Sequence, residues 1–307
     1  MDSLTHALAA AVITYILGVP ELMPFAVTGV VIIDADVLYS LFSNRHPSLY
    51  LFVHGGITHS FLGAVVMSVL AYAGIALFSV AGIIDPAFLV RAGYYGFFAV
   101  LAGAFLHIAM DLPATPGIPL FAPKSDTKYA LFILPGPSIF MFVISLVFLT
   151  WMAIGITTFE KGMPLYLAIF GAFLLFRFVA YLFSRPGLRG TWRAIPQVNP
   201  LYWLAINDSG NAWTVRDYRI GRGIMNEVIY PKFTGTDSGE IARYQGLPEI
   251  RRLNYTSYIV TAKKEGDTIT LSDPIRESER LFYPPQFKRV TLKESRSSGS
   301  PTGTGFL

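Results

Sequence analysis

The chain has 307 residues, 53% of them apolar and only 14% charged, with a mean hydropathy of +0.49 and a formal net charge of +4. That balance excludes an ordinary soluble globular protein and points to a chain that lives in a bilayer. No cysteine is present, which excludes disulfide frameworks, thiolate zinc sites, iron–sulfur clusters and cysteine nucleophiles, so any metal must be held by His and carboxylate.

The N-terminal stretch Met1-Asp2-Ser3-Leu4-Thr5-His6 has neither a basic n-region nor a small-residue cleavage pattern behind it, so it is expected to stay in the mature chain. Residues 7–17 and 24–33 are apolar but each too short to span, and Gly18-Val19-Pro20-Glu21-Leu22 separates them. They predict two short helices in a hairpin that need not cross fully. Apolar stretches at 60–84, 92–110, 130–157 and 164–183 approach or exceed the roughly 20 residues that cross a bilayer, and predict four spanning helices.

Threading these elements through the membrane gathers the polar residues at one end. His6 opens the first helix, Asp34 and Asp36 close the second, His59 opens the third, and His107 and Asp111 close the fourth. The same face carries Arg45, Lys124 and Lys128, with Arg185, Arg189 and Arg193 close behind the last helix; the opposite loops hold Glu21, Asp85, Arg91, Glu160 and Lys161. By the positive-inside rule the motif face and the tail are expected to be cytoplasmic.

Beyond residue 184 the chain turns soluble and basic: residues 1–183 carry eight acids and six bases, residues 184–307 twelve acids and eighteen bases. Apolar and polar residues alternate in Tyr218 to Tyr230 and in Tyr255 to Leu271, the second containing a plausible hairpin turn at Lys264-Glu265-Gly266-Asp267. The predicted fold class is therefore mostly α. It comprises a polytopic helical membrane bundle over 1–184, a small β-rich cytoplasmic domain over 185–293, and a Ser/Gly/Pro/Thr-rich tail over 294–307 with nothing to bury.

All five histidines, at positions 6, 46, 54, 59 and 107, fall in the most membrane-like part of the chain. Ionisable groups at membrane depth are costly enough that function is the default reading, with interfacial histidines seated among headgroups as the bland alternative. His107 and Asp111, at i and i+4, share a helix face and could ligate one metal or merely hydrogen-bond. In His54-Gly55-Gly56-Ile57-Thr58-His59-Ser60 two imidazoles bracket a glycine loop, and Thr58 could cap a helix that starts at His59.

The Thr-His pair recurs at Thr5-His6, an imperfect repeat that would deliver an imidazole twice at a helix start. Asp34 and Asp36 follow an apolar run, where a cation or ordinary solvation must compensate them. Asp2, four residues before His6, is open to three readings: a ligand, a partner that orients His6, or an acid favoured by the helix dipole. His46, between Arg45 and Pro47, reads as a surface residue. The remaining four nitrogens and four carboxylates suffice for one to three metals, with zinc, manganese or iron favoured over copper(I).

Together, Asp2-x-x-x-His6, Asp34-x-Asp36, His54-x-Gly56-x-Thr58-His59-Ser60 and His107-x-x-x-Asp111 resemble the motifs of the YdjM-like family of membrane-bound, metal-dependent hydrolases. The resemblance covers about residues 1 to 185, and Pro196 to Trp203 is similar to tails attached to some members. Gly55 stands where members often carry Arg, and Ile33 where Pro is common before the first Asp, departures that bear on loop shape or substrate. A more distant likeness is to zinc-dependent phospholipase C and P1-type nucleases.

The resemblance implies a hydrolase in which a divalent metal, zinc first and manganese or iron next, activates water. His6, Asp36, His54, His59, His107 and Asp111 are the expected ligands. Asp34 or Asp2 would act as general base or bridging ligand, Thr5, Thr58 and Ser60 as supporting hydroxyls, and Gly55 and Gly56 as the backbone facing substrate. The expected partners are membrane lipid and a small-molecule or lipid-like ester, including phosphate esters. No nucleic-acid motif is present, and the sequence sets no oligomeric state. The rivals are a transporter or metal-ion carrier using the same groups, which would need them near the bilayer midplane, and a non-catalytic scaffold with a lipid-recruiting basic tail.

Overall fold

A computed structural model of the chain describes residues 2–185, 191–281, 283–293 and 302–303. Two compact units result, one of residues 1–41 and 51–181 and one of residues 42–50 and 182–307. The first is helical and the second β-rich.

Short polar side chains start the helices of the first unit. Asp2 caps α1 (Ser3–Ile16) by accepting the Thr5 amide, and Pro24 sits in the first turn of α2 (Met23–Ile32). A single 3-10 turn at Ile33–Ala35 leads into α3 (Asp36–Ser43). Ser60 caps α4 (Phe61–Val80), Asp85 caps α5 (Pro86–Asp111) and Ser138 caps α6 (Ile139–Ala153), and α7 (Phe159–Ser184) follows.

Among the described residues, four segments are long and apolar enough to cross a membrane: Pro20–Ser43, Phe61–Val80, Pro86–Asp111 and Phe159–Ser184. Two expectations are corrected here. The second arm of the N-terminal hairpin, expected as a helix over 24–33 too short to span, is α2, but the 3-10 turn and α3 extend it into a segment long enough to cross. A helical backbone tolerates Asp34 and Asp36, whose carboxylates find imidazole and hydroxyl partners, so the hydropathy signal stops there while the helical path runs on.

The stretch 130–157, in turn, contains only the 15-residue α6. Pro135 and Pro137 lack amide donors, and the residues before them pair with the segment after α5: Leu131 N–H donates to Leu112 C=O at 2.9 Å and Thr115 N–H to Leu134 C=O at 3.0 Å.

Helix α2 packs against α1 and α5, and α5 against α4. Small residues allow the closest of these approaches. A Cβ added at Gly29 would lie 1.9 Å from the Val100 carbonyl oxygen, and one at Gly103 would lie 2.1 Å from that of Ala26. Backbone-to-backbone contact of this kind is how helices associate in lipid, where apolar burial gives no advantage of its own. It brings the C-terminal ends of α2 and α5 side by side over a buried cluster of Ile33, Ala64, Met67, Ala104, Ile108 and Ile118. Leu62, Val66 and Leu70 of α4 and Leu175, Phe176 and Phe178 of α7 face outward, as on lipid-facing helices.

In the second unit, β1 (Arg193–Pro196), β2 (Tyr202–Asp208), β3 (Ala212–Arg219) and β4 (Gly223–Pro231) form an antiparallel meander. Inward-facing Ile195, Leu204, Ile206 and Val215 supply its core. The second sheet runs in the order β5 (Phe233–Thr234), β6 (Thr261–Glu265), β7 (Thr268–Ser272), β8 (Arg289–Lys293) and β9 (Thr302–Gly303), with β5 and β6 parallel. The expected turn at 264–267 closes the β6–β7 hairpin, with Gly266 at φ +59.

Three short helices, α8 (Ser238–Ala242), α9 (Pro248–Thr256) and α10 (Pro274–Glu277), accompany this sheet. Arg252 of α9 donates to the Ser43 carbonyl at 3.0 Å and lies over the Phe287 ring, which ties residues 42–50 into this unit. Arg189 and, apart from Thr302–Gly303, the tail from Glu294 onward lie outside the described residues.

Candidate metal centre

Three buried imidazoles meet where α1 begins, α5 ends and the turn before α4 arrives. His6, His59 and His107 are each at most 1% exposed. In each ring Nδ1 is already committed. His6 Nδ1 lies 2.8 Å from the Asp2 carbonyl oxygen and His107 Nδ1 lies 2.8 Å from that of Val30. A carbonyl can only accept, so both Nδ1 atoms carry the proton and a neutral ring presents a bare Nε2 lone pair. His59 Nδ1 faces Asp36 Oδ2 at 3.2 Å and Thr58 Oγ1 at 3.0 Å, which sets the same tautomer.

The Nε2 atoms then converge. His59 Nε2 and His107 Nε2 are 3.1 Å apart. Asp34 Oδ1 stands 3.5 Å from each of them, and Asp111 Oδ2 stands 3.5 Å from His59 and 3.3 Å from His107. Two triangles of donors thus share the His59–His107 edge. Ligands about 2.0–2.1 Å from a tetrahedral ion are about 3.3 Å from one another, close to the spacing within each triangle. Two imidazole nitrogens and two carboxylates this close need a shared proton or a cation among them, and the donor set is one that a divalent metal accepts in place of the proton. His6 adds to the fit, because its buried Nε2 has no hydrogen-bond partner among the described residues.

The sequence-predicted residues occupy distinct places around this centre. Three groups could hold an ion by distance: His6, His107 and Asp111; Asp34, His59 and His107; and Asp36, His54 and His59. Within the third group Asp36 is saturated by donors. Its Oδ1 lies 2.7 Å from His54 Nδ1, and its Oδ2 accepts the Gly55 amide at 3.0 Å and the Thr58 hydroxyl at 2.7 Å. His54 itself is 37% exposed.

Asp2 spends its carboxylate on Thr5, accepting the amide at 2.8 Å and the hydroxyl at 2.7 Å, and orients His6 through its backbone carbonyl. Thr5 Oγ1 is also 3.0 Å from Ser145 Oγ, which is 2.9 Å from the Tyr166 hydroxyl. Gly55, at φ +73, turns the loop so that its amide reaches Asp36. Gly56 packs so close that an added Cβ would meet the Leu51 carbonyl oxygen at 2.1 Å.

One local expectation is corrected. Thr58 does not cap α4, because His59 closes a 3-10 turn and the helix starts at Phe61. Ser60 caps it instead, accepting the Gly63 amide at 2.9 Å, and this frees the Thr58 hydroxyl for Asp36. His46 is exposed in the 42–50 segment of the other unit, as expected of a surface residue.

Sequence reasoning missed Ser3, whose hydroxyl donates to Asp34 Oδ2, and the Val30 carbonyl that holds His107. Backbone acceptors leave no trace in a sequence. Ser145 was the detectable one, a hydroxyl within the otherwise apolar run of α6.

Electrostatics at His54 and His59, which lie outside the spanning segments, follow from these contacts. Burial opposes a charged imidazole at both. At His54 the hydrogen bond and charge of Asp36 outweigh it and raise the pKa above 6.5. At His59 the carboxylates of Asp111, Asp34 and Asp36 outweigh it and hold the ring's pKa well above 6.5 without a metal. A cation must therefore displace a proton to bind.

The sequence pattern of the YdjM inner membrane protein family matches residues 1–185, which contain every residue of the centre, and the chain belongs to that family. No curated relative and no solved structure matches it.

Proposed function

We propose that this membrane protein is a hydrolase that works through a divalent cation held by His59, His107, Asp34 and Asp111, with His6 beside them. The observation that carries the reading is the meeting of the His59 and His107 Nε2 atoms at 3.1 Å between two carboxylates, while each Nδ1 is held from behind. Imidazole and carboxylate donors without thiolate suit zinc, then manganese or iron. Such a cation supplies Lewis-acid polarisation of an ester and a more acidic water.

The chain's own residues set the geometry. Val30 and Asp2 hold the His107 and His6 rings through backbone carbonyls, and Ser3 holds the outer oxygen of Asp34. Asp36 serves as the carboxylate that orients His54 and His59, and partners of this kind raise ligand basicity and fix ring direction. His54, partly exposed and paired with Asp36, is placed to pass a proton between solvent and substrate.

A phosphate ester or lipid-like ester presented by the membrane is the substrate class that fits. Basic Arg45, Lys124 and Lys128 belong to the loops on the motif side, and by the positive-inside rule that side faces the cytoplasm. His6, His59, His107 and Asp111 occupy terminal turns, which supports hydrolysis at one membrane surface, although Asp34 lies on the 3-10 turn inside the segment Pro20–Ser43.

The test is metal analysis of the detergent-purified chain, followed by a screen of phosphate and carboxylic esters with and without chelator. Stoichiometric metal and chelator-sensitive turnover, both lost in His59→Ala, are expected. Full turnover by a metal-free preparation would contradict the reading.

A further inference from the structure

The rings of His6 and His107 are stacked, with centroids 4.0 Å apart and planes within 9° of parallel. Both present Nε2 toward the same carboxylate but toward different oxygens: His6 Nε2 lies 3.4 Å from Asp111 Oδ1, and His107 Nε2 lies 3.3 Å from Asp111 Oδ2. Rings in near-parallel planes keep their Nε2 lone pairs in two separate planes, so the two nitrogens, although close enough by distance to share an ion, are not aimed at a single point. The His59–His107 pair behaves otherwise. Those rings cross at 77°, and their Nε2 atoms close to 3.1 Å, as two ligands of a single ion do.

From this contrast we infer that the centre holds two divalent cations, with Asp111 as the bridging carboxylate. His59, His107, Asp34 and Asp111 Oδ2 bind the first; His6 Nε2 and Asp111 Oδ1 bind the second, whose other positions are open to water and substrate. The inference rests on the metal reading above and adds the second position to it.

A second, independent observation points to the same place. His6 is fully buried, its Nδ1 is tied to the Asp2 carbonyl, and its Nε2 is a buried atom with no hydrogen-bond partner among the described residues. An apolar side chain would fill that position at less cost than an orphaned nitrogen, so the nitrogen implies a ligand. Asp111 offers one oxygen to each ring, the arrangement by which a carboxylate bridges two catalytic cations about 3.5–4 Å apart. The second position is the more open one, with two protein ligands against four. It is therefore the place for an anionic ester oxygen, and a phosphate ester is a substrate class that two adjacent cations suit.

The experiment uses the full chain in detergent, stripped of metal and reconstituted with Mn²⁺ by equilibrium dialysis, with bound manganese counted and its paramagnetic resonance spectrum recorded. Two ions per chain and an exchange-coupled spectrum are expected for the unaltered protein. His6→Gln should bind one ion and give the spectrum of isolated Mn²⁺. One uncoupled ion in the unaltered protein, lost in His59→Ala, would overturn the second position and leave the hydrolase reading standing. No bound ion would overturn both. Two ions retained by His6→Gln would also overturn the inference, and if His6→Gln does not fold, the coupling in the unaltered protein alone decides it.

Discussion

Replacing Asp36 by Asn separates its proposed orienting role from that of a metal ligand. The carboxylate is 1% exposed and receives His54 Nδ1 at 2.7 Å, the Gly55 amide at 3.0 Å, the Thr58 hydroxyl at 2.7 Å and His59 Nδ1 at 3.2 Å. Asn keeps one accepting oxygen for the three donors on the Oδ2 side, but turns an N–H₂ group against His54 Nδ1 and removes the charge. His59 stays in place with a weaker anchor and a less basic Nε2. Losing a partner of this kind costs about 10–100-fold in metal affinity, or about 1.4–2.8 kcal/mol. Competition with a chromophoric chelator, in detergent and at fixed pH, measures it. An affinity equal to that of the unaltered protein would refute the positioning argument; complete loss of metal, as for His59→Ala, would make Asp36 a direct ligand.

Opposite pH trends are expected with and without metal. His54 and His59 have pKa values raised above 6.5, so their contribution to the metal-free fold is fully present below 6.5 and is lost as pH rises through the raised values. Metal binding needs the deprotonated His59 ring and strengthens over the same interval. Thermal melts from pH 6.5 upward should fall for the stripped protein and rise for the zinc-loaded one; parallel curves would contradict the assignment of those protons. Gly103→Val should prevent α2 and α5 from closing, since even a Cβ meets the Ala26 carbonyl oxygen at 2.1 Å. Overpacking costs typically about 1–3 kcal/mol and more against backbone, so loss of both the monodisperse detergent peak and metal loading is expected in size-exclusion chromatography with metal analysis.

The His and Asp residues of the centre were legible because ionisable groups in an apolar chain are conspicuous, and threading apolar runs brings their ends together whether or not each run is one helix. That is why residues 6, 34, 59, 107 and 111 converge although one predicted span and one arm of the predicted hairpin have other bounds in the structure. Hydropathy averages over Asp34 and Asp36 as if they ended a helix and over Pro135 and Pro137 as if they continued one, whereas the backbone does the reverse. Roles within the cluster were less legible, because they depend on which atom of each group points inward. Asp36 and Asp34 look alike in sequence, yet one meets amide, hydroxyl and Nδ1 donors while the other turns one oxygen to the two Nε2 atoms. The helices of the β-rich unit left no clear signal, since α8 and α10 are five and four residues long.

X-ray absorption at the zinc edge of the reconstituted chain tests the coordination most directly. The geometry predicts a first shell of mixed nitrogen and oxygen at about 2.0–2.1 Å, with imidazole scattering beyond it that weakens in both His59→Ala and His107→Ala. A shell of oxygen alone, unchanged by either substitution, would place the metal elsewhere and contradict the centre described.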